Sequence, residues 1–225
     1  MNEVSGSDEV GSSARTPLPD SLRVCPVVPV LRAAAAEGYD PVIEVLLENG
    51  LSTVELTLST PGTWAALPAL VRRWGAAVGV GTVTTVEEAE RAIEAGAGFL
   101  VTPIARRDIV AVASREGTPV FPGALTPTEV FTVWAAGATA VKIFPAETVG
   151  PQYGSHLRGP FPELQFIPSG GVSIEDIPSW LEAGACAVSL GGPLVGDSLR
   201  GGSRSSLRDR VRRTLESVGS VRGAL

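Results

Sequence analysis

Short apolar runs of β type alternate along this chain with stretches whose apolar residues recur every three or four positions. The β-type runs are CPVVPVL, STVELTL, AAVGVGTV, GFLVTP, TPVFPGA, AVKIFPA, LQFIPSG and CAVSLGG. Between them the helical period marks DPVIEVLLENG, TWAALPALVRRWG, TVEEAERAIEAG, ARRDIVAVASREG, TPTEVFTVWAAG, GPQYGSHLRGPF and SIEDIPSWLEAG. A last helix is expected around residues 206–218. Asp40, Thr85, Thr126 and Ser173 stand where N-caps are expected, and Thr85 to Glu88 has capping-box spacing. Gly50, Gly96, Gly117, Gly137 and Gly184 stand where the helices should stop. Eight β-then-α units in about 200 residues predict an α/β fold with a parallel sheet, best matched by a single (β/α)8 TIM barrel. A doubly wound sheet fits less well, because no GxGxxG follows the first strand.

Residues 1–20 are polar and lack this alternation, so a flexible N-terminal tail is expected there, with the barrel domain over 21–225. Composition narrows the function classes. No apolar run approaches the roughly 18 residues of a membrane helix. The net charge of −6, with scattered basic residues, argues against a nucleic-acid or anionic-membrane partner. Cys25 and Cys186 have neither metal-ligand spacing nor a disulfide framework, and His156 is the single histidine. The first residues carry no apolar segment of the signal-peptide kind, so a cytoplasmic location is expected.

Strand alternation then singles out two charges. In TVELTL, Val54, Leu56 and Leu58 face the helices if Glu55, Thr57 and Ser59 face the barrel interior. In AVKIFPA the same phase sends Val141 and Ile143 outward and Lys142 inward. Lys142 is the one lysine among eighteen cationic side chains. A coding bias toward arginine would thin out lysines, but arginine cannot replace a lysine that must lose its charge. A neutral amine attacks a carbonyl to form a Schiff base, and a neighbouring carboxylate moves protons at the adjacent carbon. The plainer reading is a structural Lys–Glu pair, although buried pairs are seldom net stabilising. Two glycine pairs, Gly170–Gly171 and Gly191–Gly192, close the last two strands, where phosphate-binding barrels place backbone donors. Pro193 removes one donor there. Three readings stay open on these residues alone: a Schiff-base aldolase, a sugar-phosphate epimerase or isomerase, and a non-catalytic barrel that binds a phosphorylated metabolite.

With VELTLSTP, GVGTV, TP, PG, KIFPAE and SGG in this order, the chain resembles the class I 2-keto-3-deoxy-6-phosphogluconate aldolase family. That family includes the 4-hydroxy-2-oxoglutarate and 2-dehydro-3-deoxy-6-phosphogalactonate aldolases. The resemblance runs from about residue 24 to residue 213. It implies a homotrimeric TIM barrel that needs no metal or other cofactor and acts on a small 2-keto acid, normally phosphorylated, releasing pyruvate and an aldehyde. It implies that Lys142 is the Schiff-base lysine and Glu55 the general acid/base. Thr82, Pro103 and Phe144 match positions lining the pyruvate pocket. Ser169, Gly170 and Gly171 of SGG, with Gly191 and Gly192, match the substrate and phosphate loops. VGPQY looks like the galactonate branch. Ser59 stands where gluconate members carry a carboxylate-binding arginine, and Arg32, in PVLR, matches an arginine of galactonate-type members that is expected to take over. Ile104 and Pro193 depart from the usual residues at their positions. His156 is expected on the surface, and Trp64, Trp74, Trp134 and Trp180 in packing.

Overall fold

The computed structural model describes residues 15–222. Every one of the eight expected runs holds a strand, and all strand pairs are parallel. The strands are β1 (Val27–Leu31), β2 (Val54–Thr57), β3 (Val78–Gly81), β4 (Leu100–Val101), β5 (Val120–Phe121), β6 (Gly123–Ala124), β7 (Val141–Ile143), β8 (Phe166–Pro168) and β9 (Val188–Leu190). The fifth run gives two segments because Pro122 has no N–H for a ladder. β5 pairs with β4, and β6 pairs with β7. One sheet runs β5-β4-β3-β2-β1-β9 and the other β6-β7-β8. Continuity through Pro122 joins them at one end, and a bridge between Ser169 and Ser189 joins them at the other. The result is a ring of eight staves, the expected (β/α)8 barrel.

The seven intervening helices and the last one lie where their periods put them. They are α2 (Tyr39–Glu48), α3 (Thr63–Trp74), α4 (Val86–Glu94), α5 (Arg107–Arg115), α6 (Pro127–Ala135), α7 (Gln152–Arg158), α8 (Ile177–Glu182) and α10 (Arg204–Arg222). Two short helices lack a readable period: α1 (Asp20–Val24) and α9 (Gly192–Val195). Thr85 and Thr126 each close a reciprocal capping box, with Glu88 and Glu129. Asp40 instead lies inside the first turn of α2, where its carboxylate takes the Trp74 indole N–H and the Arg73 guanidinium. Ser173 exchanges hydrogen bonds with Asp176, but this pair closes a turn ahead of α8 rather than the helix itself. The five glycines expected at helix ends all have positive φ.

Two apolar layers follow from the strand period. Val54, Leu56, Val141 and Ile143 pack outward against helix residues such as Ile43, Leu67 and Ile109. Val28, Phe99, Val101, Phe121, Ala140, Ile167 and Ala187 fill the barrel interior. Leu18 and the fully buried Leu22 belong to this inner layer. Several of its members stand at or just before the first residue of a strand, so the stretch Leu18–Leu22 closes the barrel at the N-terminal ends of the strands. Of the segment expected as a tail, residues 1–14 lie outside the described residues. Arg15 donates to the Ala138 carbonyl and stacks on Trp134. His156 is exposed, and Trp180 is buried in the outer layer. Among the described residues no helix is long and apolar enough to cross a membrane.

Candidate active site

Glu55 is the second residue of β2, and the pleat turns it into the barrel. It is 1% exposed, and its Oε2 has no hydrogen-bond partner among the described residues. Such a carboxylate oxygen is costly to keep in a protein interior. Lys142 enters from β7, also on the inward phase, and is 8% exposed. Its Nζ lies 5.1 Å from the centre of the Phe144 ring. Lys142 and Glu55 line one inner cavity of about 10 Å³, with Val28, Val101, Phe121 and Ile167 as apolar walls and Ser189 as the other polar group. That volume is close to the least that holds one water molecule. No ion pair joins the two residues, so the structural salt bridge raised by the sequence is absent; both line the same space.

Lys142 also lines a second, larger space. This cleft of about 620 Å³ opens at the C-terminal ends of the strands, where TIM barrels bind their ligands. The structure brings Arg32, Phe144, Ser169, Gly170, Gly171, Gly191 and Gly192 into its lining together with Lys142. Ser169 Oγ donates to Ser189 Oγ at 3.3 Å across the bridge that closes the ring. The two glycine pairs differ in character. Gly170 and Gly171 have φ of 85° and 76°, a conformation that disfavours side chains, and a Cβ on Gly171 would fall 2.3 Å from a Glu147 carboxylate oxygen. At Gly191 and Gly192 a Cβ would meet nothing within 4 Å. Packing does not forbid side chains at this second pair. What their absence leaves is open approach to the backbone from the cleft.

Three residues singled out by the sequence lie elsewhere. Ser59 sits in an exposed turn, because β2 ends at Thr57 and the strand alternation ends with it. Thr82 and Pro103 line neither the cleft nor the inner cavity. Thr82 follows β3 directly and has φ 63°, a strained backbone for a β-branched residue. Pro103 follows Thr102 at the end of β4 and is half-buried. The sequence reading missed Ser189, which lines both spaces; strand alternation in CAVSLGG puts it on the inward phase, as it does Glu55, but without a charge. It also missed Arg200, which lines the cleft from the 3-10 turn Ser198–Arg200 after α9.

A family model described as KDPG and KHG aldolase matches residues 18–204 of the chain. The probable 2-dehydro-3-deoxy-6-phosphogalactonate aldolase of Rhizobium meliloti (strain 1021) is 30% identical over 212 residues, covering 93% of this chain and 98% of the relative. The 2-dehydro-3-deoxy-6-phosphogalactonate aldolase of Escherichia coli (strain K12) is 33% identical over 172 residues, covering 75% of this chain and 84% of the relative. Among solved structures, the native KDPGal structure superposes with a TM-score of 0.81 at 28% identity, covering 87% of this chain and 95% of that one. A barrel with a buried lysine and glutamate at one cavity, matched over most of its length by these relatives, belongs to the KDPG and KHG aldolase family.

Proposed function

We propose that the chain is a Schiff-base aldolase that cleaves a 2-keto-3-deoxy-6-phospho sugar acid, of the galactonate or gluconate type, to pyruvate and an aldehyde. 4-Hydroxy-2-oxoglutarate is a further substrate on this reading. The observation that carries it is the shared cavity of Lys142 and Glu55. Two ionisable groups are withdrawn from water at one point without neutralising each other, an arrangement that stability alone does not favour.

The neutral Lys142 amine attacks the C2 carbonyl of the substrate. The carbinolamine loses water and becomes an iminium, which draws electrons from C3. Glu55 takes the proton of the C4 hydroxyl as the C3–C4 bond breaks, and the aldehyde leaves. The electron pair of that bond forms an enamine. Glu55 returns a proton to C3, which becomes the methyl carbon of pyruvate, and water hydrolyses the iminium to release it. Arg32 holds the carboxylate next to the reacting carbonyl, and a guanidinium fork suits that group. The loops at Gly170–Gly171 and Gly191–Gly192 face the far half of the substrate. Phe144 packs over Lys142, with Thr82 and Pro103 at neighbouring strand ends. The names of the galactonate relatives and the sequence VGPQY favour the galactonate branch. The family resemblance supports a homotrimer working in the cytoplasm.

Mass spectrometry after incubation with pyruvate and borohydride tests the reading. Reduction freezes an iminium as a stable adduct. The expected result is a pyruvate adduct on the peptide that carries Lys142, absent from Lys142→Ala. A folded protein that forms no adduct at any pH between 6 and 9 would overturn it.

A further inference from the structure

We propose that Arg200 binds the distal anionic group of the substrate and sets the preference of the cleft for substrates that carry one. This rests on the aldolase reading above. The cleft lining holds two guanidinium groups, of Arg32 and Arg200, beside the Lys142 amine, and no carboxylate. In a chain of net charge −6 that concentration of one sign is local to the cleft. Lys142 is committed to the reacting carbonyl and Arg32, one residue past β1, to the carboxylate beside it. Arg200 is left over. It is exposed at the rim and forms no ion pair among the described residues.

The glycine loops are poorly placed to hold a second anion alone. Pro193 has no N–H to offer directly after Gly192. The Glu147 carboxylate, which forms no ion pair among the described residues, lies against Gly171 on the other loop. Both features call for a compensating positive charge, and Arg200 is the side chain that supplies it. Its stem rises from a fixed frame. Arg210 of α10 donates through Nε to the Leu194 carbonyl at 2.6 Å, and through Nη2 to the Val195 carbonyl at 2.9 Å and to Ser198 Oγ at 3.0 Å. The Arg200 and Gly202 amides both donate to the Asp197 carbonyl. The cleft volume of about 620 Å³ exceeds what a three-carbon acid fills, leaving room for a longer chain that ends at the rim. A guanidinium binds phosphate or carboxylate in the same forked manner. The distal group recognised is therefore an anion of either kind.

The test measures kcat and KM of the full-length enzyme and of Arg200→Ala, Arg200→Lys and Arg32→Ala. The substrates are 2-keto-3-deoxy-6-phosphogalactonate, its unphosphorylated counterpart and 4-hydroxy-2-oxoglutarate. In Arg200→Ala the ratio of kcat/KM between phosphorylated and unphosphorylated acids is expected to fall roughly 10- to 100-fold, through KM, with partial rescue in Arg200→Lys. Arg32→Ala is expected to weaken both acids alike. A KM increase in Arg200→Ala confined to the phosphorylated acid identifies phosphate as the anion, and one confined to the dicarboxylate identifies carboxylate. Ratios unchanged among all three substrates in Arg200→Ala, whether from no loss or from equal losses, overturn the proposal. If the unsubstituted enzyme forms no pyruvate adduct at Lys142, the aldolase reading itself has failed; an adduct together with unchanged ratios sinks the Arg200 assignment alone.

Discussion

Gly81 and Glu55 compete for one space: a Cβ on Gly81 would stand 1.9 Å from Glu55 Oε1. Gly81 ends β3, the stave beside β2, and its φ is not left-handed, so the backbone there accepts other residues. What it lacks is room. Gly81→Ala should push the carboxylate away from the Lys142 cavity and lower kcat about 100-fold, the scale of a displaced general base. Borohydride trapping of pyruvate at Lys142 should persist, because the nucleophile is untouched. Steady-state kinetics alongside trapping checks this, and an unchanged kcat would show that Glu55 needs no such space.

Leu22 contributes to stability from a segment that sequence alone does not mark as core. It is fully buried against the interior layer that includes Val28 and Ile167. Leu22→Ala should cost about 2–4 kcal/mol, as for other truncations of buried leucine. The midpoint of urea unfolding reports it. A midpoint equal to that of the unsubstituted protein would mean that the segment does not close the barrel.

Glu129 gives a pH signature. Its carboxylate accepts from the amides of Thr126, at 2.8 Å, and Leu125, at 3.1 Å, and from the Thr126 hydroxyl. These bonds, the Thr126 amide first, hold its pKa below the ordinary 4.5. A depressed folded pKa stabilises above the unfolded value and loses that contribution as pH falls through the folded value. Glu129→Gln keeps an acceptor but cannot titrate. Its deficit in Tm should be largest near pH 7, corresponding to about 0.5 kcal/mol for so exposed a group. The deficit should shrink below pH 4.5. Parallel melting curves from pH 3 to 7 measure it, and a constant difference would contradict the sign.

The barrel and its two buried charges were legible in the sequence because both depend on period. Alternation along parallel strands assigns inward and outward faces, and it placed Glu55 and Lys142 inward from two different staves. The same rule failed at Ser59, since β2 gives way to a turn after Thr57 and the phase ends there. Ser189 obeyed the rule but bears no charge, so it did not stand out. Arg200 ends a single 3-10 turn, Ser198–Arg200, too short to show a period, and its position depends on the Arg210 contacts. α1 has five residues, too few to display a helical repeat, and the proline-bearing stretch before it read as tail.

The Leu18–Leu22 stretch gives the molecule a front and a back. The substrate cleft opens on one face, while Arg15 rests against Trp134 and Ala138 at the entrance to β7, on the other. A tether attached ahead of residue 15 therefore starts from the face away from the chemistry. Immobilised by that end on a resin or fused to a carrier, the barrel would present its open mouth to solution.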